Sequence, residues 1–322
     1  MNSIKHGVVV PISGKAMQPV GLCLRVGIRS RLESRFSALF ARYPVDDYIR
    51  LLDETHEGKS MFATSPRVTA FWNIVVDAWG AQGLEVYHRV TMLALIEAFE
   101  ERAAPHNYPP AILEQFRISF RRIERNIARG EPGSYTHTDD NFIKDFSICR
   151  QIAFPGGGAW VIDRHGGFPR RVLFRGGIAQ FIRLAYLYLF VVRGHRPFYM
   201  PHIHNELTHW HTPEQRLACH ARVAQMLERH PEVKGLSSSS WLMDPALPGI
   251  SPKLGWVRKI PEQNGAWFFR VGEDIGGGAL TRSATRRKLY DEGRYTPVAY
   301  MNIWPRKSMI AWSKGLAKKV LL

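Results

Sequence analysis

The sequence contains little cysteine, and the cysteines it has are far apart. Cys23, Cys149 and Cys219 form no Cys-x-x-Cys pair. This distribution argues against a disulfide framework or a thiolate zinc site and is typical of a protein from a reducing compartment. Internal repeats and low-complexity tracts are also missing, and 45% of the residues are hydrophobic. We therefore expect a globular protein with a sizeable core.

An apolar run long enough to cross a membrane is also absent. Residues 178–192 form a 15-residue apolar run with a single charge, Arg183, whereas a spanning helix needs about 20 residues. We predict a buried helix there, with a membrane-interface helix as the alternative. Residues 8–12 are too short an apolar run for a signal peptide, and Pro11 interrupts them. The expected localisation is cytoplasmic, with peripheral attachment to the inner face of the membrane left open.

Acidic residues are few, and the deficit is concentrated in the second half. Residues 1–150 hold 19 Lys and Arg against 17 Asp and Glu, a net charge of +2, whereas residues 151–322 hold 25 against 11, a net charge of +14. The second half is therefore expected to meet an anionic partner, such as a phosphate-bearing ligand, an acidic membrane surface or nucleic acid. A basic surface that only aids solubility is the alternative.

The 322 residues divide into a predicted helical N-terminal region, residues 1–130, and a predicted α/β region, residues 131–322. Residues 67–104 have the spacing of two helices broken near residues 80–83, and residues 111–129 predict a helix that ends at Gly130. We expect the first region to form a helical layer.

The second region has short apolar runs separated by Gly and Pro, a pattern that predicts strands. A hairpin is predicted from residues 159–162 and 171–174, and further strands from residues 197–203, 235–243, 266–271 and 298–304. Thr212, Pro213 and Gln215 are an N-cap, a first helical residue and a capping-box residue, so they predict a helix that ends near His230. This helix would connect residues 197–203 to residues 235–243 as a parallel pair. The predicted fold class is α/β (α+β).

Four histidines lie within ten residues, at His202, His204, His209 and His211. His202 and His204 alternate along the predicted strand and therefore point to the same face. One hypothesis is a zinc or iron site made from these histidines, in a zinc hydrolase or a non-haem iron oxygenase. His137-x-Asp139 has the form of the first two ligands of a 2-oxoglutarate oxygenase and supports the same alternative.

The start of the helix after His211 is predicted to bind an anion. Backbone N–H groups in a first helical turn are unpaired, and the helix dipole favours negative charge there. Thr212, Gln215 and Arg216 are the residues assigned to this site, and the pyrophosphate of coenzyme A is a suitable ligand. The alternative is a plain crossover helix whose cap faces water.

Over residues 155–305 the sequence resembles the GNAT superfamily of acyltransferases. The resemblance is carried by the order of elements, by the helix after a central strand, and by Lys253-Leu254-Gly255-Trp256. The family's glycine-containing acyl-CoA signature is absent, because residues 215–220 read Gln-Arg-Leu-Ala-Cys-His. The resemblance implies a GNAT-like mixed sheet in a catalytic domain, acyl-CoA as co-substrate and no metal. It also implies transfer of the acyl group to an amine, and a basic, aromatic-rich member would suit a lipid acceptor, as in bacterial ceramide synthases.

Acyl transfer of this kind needs a base, and histidine has the most suitable pKa. His202 and His204 are the candidate bases, Glu206 is a candidate to orient one of them, and Asp244 is a second candidate base at the end of the next strand. Ser239 is assigned to hydrogen bonding with the substrate chain.

A basic and aromatic segment near the C-terminus is predicted to meet an anionic partner. Arg286 and Arg287 are its candidate cofactor contacts, with Tyr290, Tyr295 and Trp304 nearby in the sequence. Such a surface suits lipid or coenzyme phosphates, and it also suits RNA. An aminoacyl-tRNA-dependent transferase or an RNA-binding protein is thus a further alternative, although no RNA-binding motif accompanies the segment.

Overall fold

The computed structural model describes residues 20–56, 58–130, 133 and 135–320, and for residues 20–24 and 317–320 it describes the backbone only. Residues 8–12, considered above for a signal peptide, lie outside the described residues. The described helices are Val20–Arg35 (α1), Ser37–Arg42 (α2), Val45–Glu54 (α3), Pro66–Glu97 (α4), Phe99–Ala103 (α5), Pro110–Arg129 (α6), Asp140–Cys149 (α7), Gly177–Tyr186 (α8), Pro213–Arg229 (α9), Leu247–Ile250 (α10), Trp256–Glu262 (α11), Gly278–Thr281 (α12), Ala284–Asp291 (α13) and Arg306–Val320 (α14). The described strands are Ala153–Gly157 (β1), Trp160–Gly166 (β2), Phe198–Ile203 (β3), Gly235–Ser240 (β4), Trp267–Glu273 (β5) and Val298–Pro305 (β6).

The six strands form one mixed sheet in the order β1-β2-β3-β4-β6-β5. Every neighbouring pair is antiparallel except β3 and β4, which are parallel and are connected through α9. The predicted fold class, α/β (α+β) with a helical N-terminal layer packed on a mixed sheet, is confirmed. The predicted parallel pair and its connecting helix are confirmed as well.

The helical layer follows the local signals of the sequence. Gly80 has φ 72° and ψ 176°, which breaks α4 into two helical parts where the break was predicted. The last turn of α6 ends at Gly130 in the left-handed conformation, with φ 62°, which a residue without Cβ adopts at no steric cost. The apolar stripe of α6 is buried and includes Phe116 and Ile123. These elements are specified by short-range pattern and were therefore predictable.

The main core joins the helical layer to the sheet. It contains Tyr87 and Phe116 from the helices together with Phe154, Tyr199 and Trp304 from the strands. A second, smaller core lies on the other side of the sheet and includes Leu184 and Leu187 with strand residues Phe198, Phe269 and Met301. Helix α9 packs on the first side, so we call this side the α9 face and the other side the opposite face.

Two local predictions are wrong. Residues 171–174 are not a strand, because Arg170–Phe174 is a 3-10 helix, and β2 pairs instead with β1 and β3. β1 was not predicted, because its sequence, Ala-Phe-Pro-Gly-Gly, has poor strand propensity. The strand is held by its pairing with β2 and by the helices packed on it. Residues 178–192 are not a buried helix, because most of their large apolar side chains are exposed.

Candidate functional site

The two parallel strands at the centre of the sheet separate after a single registered pair. Tyr199 of β3 pairs with Leu236 of β4, yet β3 continues to Ile203 and β4 to Ser240 without further pairing between them. Pro201 explains the separation. The β2–β3 register runs through Pro201 without a break, so its missing N–H is on the β4 side, where the ladder stops. The strands leave a wedge in which β3 and β4 have no ladder pairing beyond Tyr199 and Leu236, and on the β3 side the Ile203 carbonyl accepts from Lys144 Nζ at 2.6 Å.

The wedge is open to solvent although it lies in the middle of the sheet. Ser239 lies on β4, an interior strand with β3 on one side and β6 on the other, and it is nevertheless exposed. His202, across the wedge on β3, is half-buried. Both side chains point to the opposite face, because His202 alternates in phase with Phe198 of the second core along β3, and Ser239 pairs with Met301 of the same core.

The start of α9 lies at the wedge on the α9 face. Thr212 caps the helix as predicted and accepts a hydrogen bond from the Gln215 N–H at 3.3 Å, and its carbonyl accepts from the Arg216 N–H at 3.0 Å. Glu214 adds an acidic side chain to the first turn. Much of the anion-binding capacity of these amides is therefore already used, and the guanidinium of Arg216 is the main cationic group there.

Arg216 is buried, and part of its guanidinium has no protein partner. Its side chain is 2% exposed and lies over the Trp160 ring with 4.3 Å between the guanidinium carbon and the ring centroid. Nε and Nη2 have no hydrogen-bond partner among the described residues. Burial lowers the pKa of Arg216 to about 10, so the group remains a cation at neutral pH. A buried cation without a counter-charge is destabilising unless an anion binds to it.

The register of the sheet places two more polar side chains, Ser238 and Asn302, on the same face of the sheet as Arg216. His220, one turn further along α9, contacts the Trp304 ring at 5.2 Å. Two residues before Trp304, Asn302 of β6 pairs with Ser238 of β4 on the same face. One helical turn and two strand residues advance the chain by similar lengths, about 5.4 and 6.7 Å. Because α9 runs antiparallel to β4, the first turn of α9 lies towards the ends of β4 and β6 that carry Ser238 and Asn302, although no contact joins Arg216 to either residue in the described part of the chain.

These side chains are buried and unsatisfied. The Ser238 hydroxyl and both amide atoms of Asn302 lack partners among the described residues, as do Trp160 Nε1 and His211 Nε2. The His211 ring bridges two aromatic rings, at 5.0 Å from Trp160 and 5.1 Å from Trp256. An unpaired buried polar atom costs about 1–3 kcal/mol and is normally met by water or by a ligand. These unpaired atoms flank the wedge on β2, β4, β6 and the segment before α9, so the wedge is the candidate polar binding site.

His202 has the environment of a neutral imidazole beside an apolar wall. Its ring contacts the Phe62 ring edge-on at 5.0 Å, and Nε2 is buried without a partner. Burial lowers the pKa of His202 to about 4, against a smaller opposing effect of the Asp163 carboxylate. His202 is therefore uncharged at neutral pH, and in the tautomer protonated on Nδ1 its Nε2 carries a free lone pair.

His204 follows β3 and is held by a carboxylate that the sequence did not indicate. His204 is fully buried, and its Nε2 lies 3.2 Å from Asp145 Oδ1. Asp145 also accepts two hydrogen bonds from Arg122 and one from the Tyr135 hydroxyl at 2.7 Å. Burial by itself would raise the pKa of Asp145, but Arg122 and His204 outweigh it and lower the pKa to about 2.

Asp145 is a candidate site residue that the sequence patterns did not indicate. It lies on α7 in a stripe with Phe142, Phe146 and Cys149, all of them buried. A carboxylate at a position of an apolar helical stripe is a signal that such a group is paired, because an unpaired one would be costly. The partner itself, 59 residues away in the sequence, could not be identified without the structure.

The change Asp145→Asn is expected to lower the free energy of unfolding by about 3–5 kcal/mol, because it leaves the largely buried guanidinium of Arg122 with only the exposed carboxylate of Glu206, at 3.4 Å, as a counter-charge. Urea unfolding at pH 7 measures the loss. The folded-state pKa near 2 lies below that of an unfolded Asp, about 3.9. The wild-type contribution is therefore complete above about pH 4 and is lost as the pH falls towards 2, so the two proteins should converge in acid. Asp47→Asn, which removes a carboxylate from an exposed ion pair with Arg50 on α3, is the matched control, and a loss below 1 kcal/mol for Asp145→Asn would contradict the assignment.

Of the other predicted site residues, Glu206 lies beside this network but does not contact a histidine. Glu206 is exposed and accepts hydrogen bonds from Arg122 at 3.4 Å and Asn126 at 3.2 Å. Contrary to the sequence prediction, Asp244 does not end the strand, because β4 stops at Ser240 and the 3-10 helix Trp241–Met243 follows. Asp244 is buried, and its two oxygens accept hydrogen bonds from the Tyr295 hydroxyl and two backbone N–H groups. Its role as a base stays a prediction, since these donors occupy the lone pairs that a base would use.

Arg286 and Arg287 lie on α13 and differ in environment. Arg286 is buried over the Trp241 ring, just after β4, and donates to the Ala279 carbonyl and the Ser251 hydroxyl. Arg287 is exposed and pairs with Asp291. No contact joins either arginine to Arg216 in the described part of the chain, so the structure does not bring the two predicted groups of cofactor residues together at one point.

An open cavity, whose space of about 810 Å³ includes the solvent at its mouth, lies between α3, α4 and α7 and is lined in part by Phe62, which contacts His202. Its lining is mixed: the apolar members include Trp72 and Phe142, and the polar members include His56, His137 and Arg150. Arg150 is paired with no carboxylate among the described residues, and its Nε is buried without a partner. The cavity is large enough for part of an organic substrate.

The hypothesis of a metal site gains no built site within the ranges that the structure describes. Among the described residues, no three His, Cys, Asp or Glu side chains come together as a metal ion requires. Asp139 caps α7 by accepting hydrogen bonds from the N–H groups of Asn141 and Phe142. In the part of the chain that the structure describes, no helix combines the length and apolar character needed to cross a membrane.

Comparison with known proteins gives one distant structural likeness. No protein-family model matches the sequence, and comparison with curated protein sequences finds no significant match. A solved structure of an acyltransferase in complex with decanoyl-CoA is similar, with 16% identity and a TM-score of 0.41 over 69% of this chain and 66% of that chain, just under two thirds. A likeness of this size does not identify a function, which has to be argued from the site.

Proposed function

We propose that the protein is an N-acyltransferase that moves an acyl group from an acyl-CoA thioester to an amine. The observation that carries the proposal is the wedge between β3 and β4, with unpaired strand edges and the buried, unpaired guanidinium of Arg216. Such a site suits a narrow ligand that pairs with strand edges through its own amide groups and ends in an anion. The pantetheine arm of coenzyme A carries two amides, and its pyrophosphate supplies the anion.

The two faces of the sheet give this ligand a direction. Arg216 is on the α9 face, and His202 and Ser239 are on the opposite face. A linear thioester that passes through the wedge would have its phosphates near Arg216 and its carbonyl carbon near His202. Ser239 would contact the chain on the way, and Ser238 and Asn302 would gain the polar partners that they lack.

The reaction at the His202 end is aminolysis of a thioester. The amine nitrogen attacks the carbonyl carbon, the C–S bond breaks, and the sulfur leaves as coenzyme A thiolate. The amine proton passes to Nε2 of His202 and from there to the leaving sulfur, so that no net proton is gained or lost. Backbone N–H groups at the wedge are suited to stabilise the developing oxyanion.

We propose that the acceptor is a hydrophobic amine, such as a lipid amine of the sphingoid type. The support is the cavity between α3, α4 and α7, because Phe62 is one of its apolar lining residues and also contacts His202. An acceptor with its apolar part in this cavity would have its amine directed past Phe62 towards the imidazole. His204, held by Asp145, acts as a positioning residue that fixes the end of β3 in this arrangement.

Thermal melting of the full chain tests ligand class. A ligand at one hundred times its dissociation constant stabilises the native state by about 2.7 kcal/mol, a readily measured rise in Tm. We expect long-chain acyl-CoA to raise Tm, free coenzyme A to raise it less, and adenosine monophosphate to leave it unchanged. A protein that responds to 2-oxoglutarate with iron, or to tRNA, and to no coenzyme A species would contradict the proposal and favour an oxygenase or an RNA-dependent enzyme.

A further inference from the structure

The segment from Arg170 to Val192 exposes an unusual amount of apolar surface. Ile178 is 79% exposed and Phe174 75%. The other exposed apolar side chains of the segment are Phe181, Ile182, Tyr186, Leu189, Phe190 and Val191. Soluble monomers rarely carry a contiguous apolar patch of this kind unless something binds there. We call this group the α8 patch.

The α8 patch is a fixed face of an anchored helix. Leu184 and Leu187 are fully buried in the second core with Phe198 and Phe269. Gln180 ties the same helix to β5, since it donates to the Arg270 carbonyl at 2.8 Å and accepts from the Arg270 N–H at 2.7 Å. One side of the helix therefore packs on the sheet, and the side that remains exposed is apolar.

The charge around the patch determines what it binds. Between Asp163 and Glu206 the sequence has no acidic residue, and it has seven arginines: Arg164, Arg170, Arg171, Arg175, Arg183, Arg193 and Arg196. The last six are exposed, and none of them forms an ion pair with a carboxylate of the described residues. They lie mainly before and after the helix and so border the apolar patch at both ends.

An apolar patch between arginines matches an anionic lipid bilayer. The apolar side chains would enter the acyl region, the arginines would meet the phosphates, and Tyr186 would lie at headgroup depth. A second copy of this chain fits less well, because it would bring two unpaired arginine clusters together. RNA would meet the arginines but would leave the apolar side chains in water. We propose that the α8 patch docks the protein on an anionic membrane surface.

Flotation with lipid vesicles tests this proposal. The full chain is expected to bind phosphatidylglycerol-containing vesicles at least 10-fold more tightly than vesicles of phosphatidylcholine alone. The double change Ile182→Glu and Phe190→Glu should reduce binding to the anionic vesicles at least 10-fold. Ile74→Glu with Ile118→Glu is the matched control, since both of these apolar residues are exposed on other helices, and it should bind like the wild type.

The arginines are tested separately. Changing Arg171, Arg175 and Arg193 to Gln should weaken anionic-vesicle binding on the order of 100-fold, because each basic residue near such a surface contributes about 1 kcal/mol. Equal binding to both vesicle types, or a dimer in solution that the glutamate changes dissociate, would overturn the proposal. Every altered side chain is exposed, so melting should be unaffected, and acylation of a water-soluble amine should continue at the wild-type rate even if docking is lost.

Discussion

Replacement of His202 by alanine is expected to lower kcat for amide formation by about 10²–10⁴-fold, the usual contribution of a positioned general base. The KM for acyl-CoA should change little, because His202 lies on the opposite face from Arg216 and does not contact the proposed phosphate site. Release of the coenzyme A thiol and mass spectrometry of the amide measure the same turnover independently.

The wild-type pH profile gives a second test of His202. Burial lowers its pKa to about 4, and a base acts only when it is deprotonated. His202 should therefore cause loss of kcat/KM only as the pH falls towards 4, without a step near 6.5, the pKa of an ordinary histidine. At higher pH the rate should rise as the amine acceptor itself loses its proton.

The control for this substitution is His209→Ala. His209 lies in the same histidine-rich segment but is exposed and contacts the ring of Trp210. It should retain full activity, and both variants should melt near the wild-type temperature. A His202→Ala enzyme with more than half of the wild-type kcat would show that His202 is not the proton acceptor, and His204→Ala would then be the next substitution to measure.

Replacement of Arg216 by methionine is expected to change stability and ligand binding in opposite directions. Methionine fills a similar volume without a buried charge, so the free protein should be as stable as the wild type or more stable, by up to about 1–4 kcal/mol. Coenzyme A binding should weaken by about 10–150-fold, because a hydrogen bond to a charged group contributes about 1.5–3 kcal/mol to binding. Chemical unfolding without ligand and calorimetric titration with coenzyme A measure the two effects.

Two further variants separate charge from geometry. Arg216→Lys keeps the positive charge but loses the planar fork that matches phosphate oxygens, so it should recover only part of the affinity. Arg229→Met removes an exposed arginine from the last turn of the same helix and should change neither quantity strongly. If Arg216→Met bound coenzyme A as the wild type does, the anionic end of the ligand would lie elsewhere, and Arg286 would be the next arginine to test.

Much of the fold was predictable because the signals are local. The Thr212 cap, Pro213 and Gln215 fix the start of α9 within one turn of the chain, and Gly130 terminates α6 through its own backbone conformation. The parallel arrangement of β3 and β4 follows, because a helix between two buried strands returns the chain in the same direction. His202 and Arg216 were both selected from such local patterns.

What the sequence determined by itself is thus the set of elements, their connection and the residue types near the centre of the sheet. The tertiary structure decided which groups are paired. It paired Asp145 with His204 and separated the strands at Pro201. Among the described residues it left Nε and Nη2 of Arg216 and the side-chain amide of Asn302 without a hydrogen-bond partner. It also decided that residues 178–192 bury only a minority of their large side chains. Pairing and burial depend on groups brought together from distant parts of the chain, so no short stretch of sequence carries that information.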